Sequence, residues 1–199
     1  KEEPVKKSEP ESKEDSIETK LKNLKADELE ALFEKNKDVL LGAKSTGNVK
    51  IKKIIADYLG VKTSEMKEKN GYNIKLNQEV MERIIVNHAK TLITDDVDKS
   101  YNALKNLYEN QPLLAKRTGT SARNQAYSTP IHYAYLANLY ADANNQSATV
   151  LEPTAGNGAM TLASNPEKVY ANEIEPFRRA TLEGQGLNTV TDIDATNQI

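Results

Sequence analysis

The stretch TVLEPTAGNGAMTL, residues 149–162, carries the residues best placed to do chemistry in this chain. Val150 and Leu151 read as the end of a buried strand, and Gly156 and Gly158 as the tight turn that follows it. Glycines there let the backbone approach a ligand with no Cβ in the way, and one or both are expected at positive φ. The amides after the turn open a helix N-terminus, which favours a negative group or a dense acceptor. In the dinucleotide fingerprint GxGxxG the third glycine would fall at Thr161, so that fingerprint is incomplete. A lone glycine pair can also be a structural turn that holds no ligand. Two acids extend the pattern. The strand KVYANE ends in Glu173, 15 residues beyond Gly158, where an acid can take both hydroxyls of a ribose. The strand TVTDID ends at Asp194, which can accept a hydrogen bond from an adenine amino group. Singly, either acid is explained as a solvated strand end. Jointly, three strand tips outline an adenosine-shaped site.

VLEPTAGNGAM followed by VYANEIEP resembles motifs I and II of the S-adenosylmethionine-dependent methyltransferases, most closely the amino-methyltransferases that modify adenine in DNA. The resemblance implies that Glu152, Pro153, Ala155, Gly156 and Gly158 wrap the methionine part of the cofactor. It implies that Glu173 binds the ribose, that Ile174 packs against the adenine, and that Asp194, as the acid of motif III, binds the adenine amino group. Upstream, NQAYSTP resembles motif X, which would bring Tyr127, Ser128 and Thr129 to the cofactor's carboxylate. Motif X ahead of motif I is the γ order of that family, and the resemblance covers roughly residues 124–197.

The same family implies what the sequence lacks. Its catalytic motif IV, (Asn/Asp)-Pro-Pro-(aromatic), does not occur, and SNPEK at 164–168 lacks the second proline and the aromatic. No catalytic residue is therefore assigned. With no initiator Met and an abrupt stop after DIDATNQI, the chain reads as an inactive N-terminal fragment of a longer enzyme. The implied reaction of the full-length protein is methyl transfer from a sulfonium to an exocyclic amine, which needs alignment and a polar clamp more than a strong base. DNA would be the partner of that longer protein, with the target adenine flipped from the duplex. The rival reading is a non-enzymatic cofactor-binding or interaction module of a large mobile-element or phage-type protein. Thr161 and the STP element disfavour an NAD-dependent oxidoreductase, and the first three motifs do not choose among DNA, RNA and protein acceptors.

Composition sets the frame. A formal net charge of −2 gives the whole molecule no pull toward nucleic acid, so any such surface must be a local patch. There is no cysteine, which fits a reducing cytoplasm, and only His88 and His132 to ligate a transition metal. No apolar run approaches the roughly 20 residues that cross a bilayer.

The fold class expected is α followed by α/β: an N-terminal helical domain, then the first part of a Rossmann-like methyltransferase sheet. Residues 1–20 are mixed-charge and read as a disordered tail. Residues 21–114 read as a helical domain. Leu29, Leu32, Phe33 and Leu40 share a face in 27–41, and Ile51, Ile54, Ile55, Tyr58 and Leu59 make a stripe ended by Gly60. Asn77 is expected to cap the helix that carries Val80, Met81, Ile84, Ile85, His88 and Leu92. Val97, Tyr101, Leu104, Leu107 and Tyr108 point inward from the next helix, and residues 115–127 form a polar linker loop. In 128–199, Ser128 or Thr129 caps a helix with Pro130 in its first position, and His132 is expected at the surface. Strands then alternate with short helices, the pattern of a parallel sheet. A sheet of three strands leaves its edges open to pairing between chains.

Overall fold

The structure, a computed structural model, describes residues 16–113 and 128–196. Among them are eight α-helices and a small parallel sheet of three strands, a mixed α and β chain. The helices are α1 (Ile17–Asn23), α2 (Ala26–Lys35), α3 (Lys37–Leu41), α4 (Gly47–Leu59), α5 (Ile74–Thr91), α6 (Val97–Asn110), α7 (Ile131–Tyr140) and α8 (Pro176–Glu183). The strands are β1 (Val150–Glu152), β2 (Val169–Asn172) and β3 (Thr189–Thr191), paired in the order β1-β2-β3. No described helix is long and apolar enough to cross a membrane.

Local chemistry explains where these elements start and stop, and corrects several expectations. The helix expected over 27–41 is split at Asn36, whose Nδ2 turns back to donate to the Leu32 carbonyl at 2.8 Å. α4 ends where predicted, with Gly60 at φ 67°. The cap of α5 lies four residues before the expected one: Asn73 accepts from the Leu76 amide at 3.0 Å, while Asn77 lies buried inside the helix. Asp96 caps α6 by accepting from the Lys99 amide at 2.9 Å. Ile17–Lys20, read as tail, form the first turn of α1, and Ser16 caps it. Neither Ser128 nor Thr129 caps α7, which follows Pro130 directly. Tyr127 and the 115–127 linker lie outside the described residues.

One apolar cluster runs through the helices. Leu29 and Phe33 of α2, Ile51 and Ile55 of α4, Met81 and Ile84 of α5 and Leu104 of α6 are buried together with Ile131, Ala134 and Tyr135 of α7 and Leu162 beyond the glycine turn. The core thus continues from the N-terminal helices into the segment that carries the sheet. Burying such side chains contributes roughly 1.5–3 kcal/mol each. A second, smaller cluster of Ala155, Val169, Ala171 and Leu182 lies between the sheet and α8. Strand alternation puts Leu151 and its register partner Tyr170 outward, 68% and 42% exposed. Val97 and the tyrosines at 58 and 108, expected inside, are exposed instead, because they fall at the margins of their helices' apolar stripes.

His132, expected at the surface, is buried against the rings of Tyr101, Tyr108 and Tyr133, with centroids 6.0, 4.9 and 4.1 Å away. Its Nδ1 has no hydrogen-bond partner. Burial lowers its pKa, Lys105 lowers it further, and Glu109 opposes them.

Asn73→Ala should destabilise the fold by about 1 kcal/mol in a urea titration, through loss of the α5 cap. His132 is held neutral when folded, but unfolded it takes up a proton below its ordinary pKa near 6.5. Its stabilising effect is therefore complete above that pH and lost as pH falls toward the depressed folded value. The urea midpoint should drop between pH 7.5 and 5.5 (about one unit either side of that value), and by less in His132→Phe.

Candidate functional site

The glycine turn leaves β1 at Glu152, whose Oε1 accepts from the Thr154 amide at 3.0 Å and so tightens the first corner. Gly156 and Gly158 both have positive φ, 57° and 87°. The segment that follows is one turn of 3₁₀ helix, Ala159–Thr161, in place of the longer helix expected. The two glycines are required for different reasons. A Cβ on Gly156 would meet nothing within 4 Å, so only its backbone conformation favours glycine there. A Cβ on Gly158 would lie 2.6 Å from Gln185 Oε1 and 3.2 Å from Leu182 of α8, so close packing adds to the conformational preference for glycine there.

The three strand tips are drawn together by Asn172, which is buried. Its Nδ2 donates to the carbonyls of Pro153 at 3.0 Å and Ile193 at 2.9 Å. Its Oδ1 accepts from the Ile193 amide at 2.8 Å and the Thr191 hydroxyl at 2.7 Å. One side chain on β2 thus fixes the loops after β1 and β3. Glu173 follows directly and is also buried; Oε2 accepts from the Gly156 amide at 2.8 Å and Oε1 from the Glu175 amide at 2.8 Å. The expected acid of the second strand therefore touches the expected glycine of the first. Ile174 beside it is 52% exposed. Asp194 lies beyond the end of β3, exposed, where the Thr196 amide and hydroxyl donate to Oδ1 and hold its carboxyl below the usual range.

Beneath the turn lies a polar cluster that sequence reading missed. Arg178 of α8 grips Glu79 of α5 with two hydrogen bonds, Nε to Oε2 at 2.7 Å and Nη2 to Oε1 at 3.0 Å, and both residues are buried. Asn157, between the two glycines, donates from Nδ2 to Glu79 and Glu82, 3.2 Å to each. Ser128 Oγ donates to the same Glu82 oxygen at 2.5 Å. The segments read as motif X and motif I therefore meet on one carboxylate of α5. Burial works against the Arg178 charge, but the bonds and charge of Glu79, with Glu82 and Glu173, outweigh it and raise its pKa. Burial pushes Glu82 up; Ser128 opposes this and Glu79 adds to it.

No protein-family model matches this chain, and no curated protein or solved structure matches it.

α5 braces the turn along its length. Lys90 Nζ donates to Gln185 Oε1 at 2.8 Å, and Gln185 Nε2 donates to the Asn157 carbonyl at 2.9 Å. Burial lowers the Lys90 pKa to about 8. Arg83 bonds Glu30 of α2 at 2.6 Å and Thr181 of α8 at 2.8 Å, and stacks on Phe177 with its guanidinium 4.3 Å from the ring centroid. Glu79, Glu82, Arg83 and Lys90 were not singled out beforehand, because on a helix they read as an ordinary polar face. Their i, i+3, i+4 spacing was the available signal, since it lines a helix face with charge. Among the described residues no group of three or more His, Cys, Asp or Glu is arranged to hold a metal ion. The cluster can therefore bind and orient through hydrogen bonds and charge.

Removing one partner of a buried ion pair strands the other charge. Glu79→Ala should lower unfolding free energy by about 3–5 kcal/mol, measured by urea titration. A paired replacement, Glu79→Met with Arg178→Met, should recover most of that loss.

Proposed function

We propose that residues 128–196 form the cofactor-holding part of an S-adenosylmethionine-dependent methyltransferase acting on adenine in DNA. On this reading β1–β3 are the first strands of a Rossmann-like sheet. The observation that carries it is the convergence at Asn172 and Glu173 of a glycine turn, an acid and a second acid-bearing loop, at the same ends of three parallel strands. In open parallel sheets ligands lie at the carboxyl ends of the strands. A carboxylate offers about four acceptor positions, and Glu173 spends two on backbone amides, which leaves two toward a ribose diol. Ile174 offers an exposed apolar surface to a flat base, and Asp194 keeps Oδ2 for an amino group. Ser128 stands beside the turn through Glu82. The chain's own part is to bind and align the methyl donor. The transfer step and the DNA contact belong to residues of the motif IV type, which this sequence does not contain.

A second reading, a non-enzymatic interaction module, draws on Gly158. Its missing side chain is already used by Gln185, so packing alone accounts for one of the two glycines.

Calorimetric titration with S-adenosylmethionine, with NAD as control, separates the two. Binding of the methyl donor but not NAD is expected, weakened about tenfold or more by Glu173→Ala. Equal indifference to both ligands would leave the turn as a structural device.

A further inference from the structure

The cluster under the glycine turn is short of positive charge. Three carboxylates, Glu79, Glu82 and Glu173, surround the single guanidinium of Arg178. Glu79 takes both hydrogen bonds from Arg178, and Glu173 is engaged by two backbone amides. Glu82 is left with a 3.9 Å approach from Arg178 and two neutral donors, Ser128 Oγ and Asn157 Nδ2, both on Oε2. Such a carboxylate, partly withdrawn from water, is costly unless a cation approaches it.

Asn157 supplies an independent sign. Its side chain is 5% exposed and its Nδ2 lies on the two α5 carboxylates, yet its Oδ1 accepts no hydrogen bond. Buried amide oxygens are nearly always satisfied. What the cluster lacks is therefore a group with several N–H donors and a positive charge. An ammonium carries three donors on one atom and so can serve a carboxylate and an amide oxygen at once.

We propose that Glu82 of α5, with Asn157 Oδ1 beside it, receives the α-ammonium of an amino-acid-bearing ligand lying on the glycine turn. The inference rests on the cofactor reading above and names the group of the cofactor that the helical region recognises. Glu82 is then a specificity residue: it distinguishes a nucleoside that carries an amino-acid tail from one that does not.

The test compares three ligands by calorimetry on the whole chain: S-adenosylhomocysteine, its deaminated analogue, and methylthioadenosine, which has no amino-acid tail. Loss of a charged hydrogen-bond partner should weaken the deaminated analogue about ten- to hundredfold relative to S-adenosylhomocysteine. Glu82→Gln should close that gap and leave methylthioadenosine affinity unchanged. Glu82→Asp keeps the charge and withdraws it by one methylene, and it should narrow the gap if the glutamine variant does not fold. Equal affinity for the two tailed ligands in the native chain would overturn the inference while sparing the cofactor reading. So would a Glu82→Gln variant that weakens all three ligands alike. Failure of methylthioadenosine and both tailed ligands to bind would overturn the two together.

Discussion

The buried pair between Glu79 and Arg178 is the constraint on which the remaining geometry depends. Two charges taken out of water are tolerated only with near-ideal geometry and further hydrogen bonds on the unused lone pairs. Here the guanidinium meets its carboxylate in a two-point fork, and Asn157 supplies an extra donor. That donor sits between Gly156 and Gly158, so satisfying the pair fixes the turn. The orientation of α8 follows from Arg178, and the position of Gln185 over Gly158 follows from α8. A hydrophobic replacement could hold the helices together as well, but it would not specify where the turn lies.

Asn172 plays the corresponding part within the sheet. Strands of three or four residues make few ladder bonds, and the small apolar cluster under them adds modestly. A buried amide that bonds three loops or strand ends gives so short a sheet its fixed outlet. Glu173 then couples that outlet to the glycine turn. The polar groups at the strand tips thus form one connected network, in which each member satisfies its neighbour.

Much of this was legible in the sequence, because periodicity and turn chemistry are local. The α4 stripe, the Gly60 stop, the three strands and the two positive-φ glycines follow from residues close together in the chain. Asn73 was overlooked as a cap because Asn77 has the same chemistry, and only packing against Tyr72 and its neighbours draws Asn77 inside. His132 was misplaced because two of the tyrosines that enclose it, Tyr101 and Tyr108, come from α6, far beyond the reach of a local sequence pattern. Within the site, the glycines and Glu173 could be picked out by spacing. Glu79 and Glu82 stood out less, since a helix face of charge is ordinarily solvated and their partners lie 46 to 99 residues away.

The continuity of the apolar cluster from α2 to α7 has a practical meaning for anyone dividing this chain. A cut in the stretch between Leu113 and Ser128 would part Ile131 and Tyr135 from Met81 and Leu104, and Arg178 from Glu79, the carboxylate that takes its hydrogen bonds. Neither piece would be a miniature of the whole: one would display a raw apolar seam, the other a guanidinium stripped of its hydrogen-bonded carboxylate. The helices ahead of the glycine turn are the floor on which it is laid, and they have to travel with it.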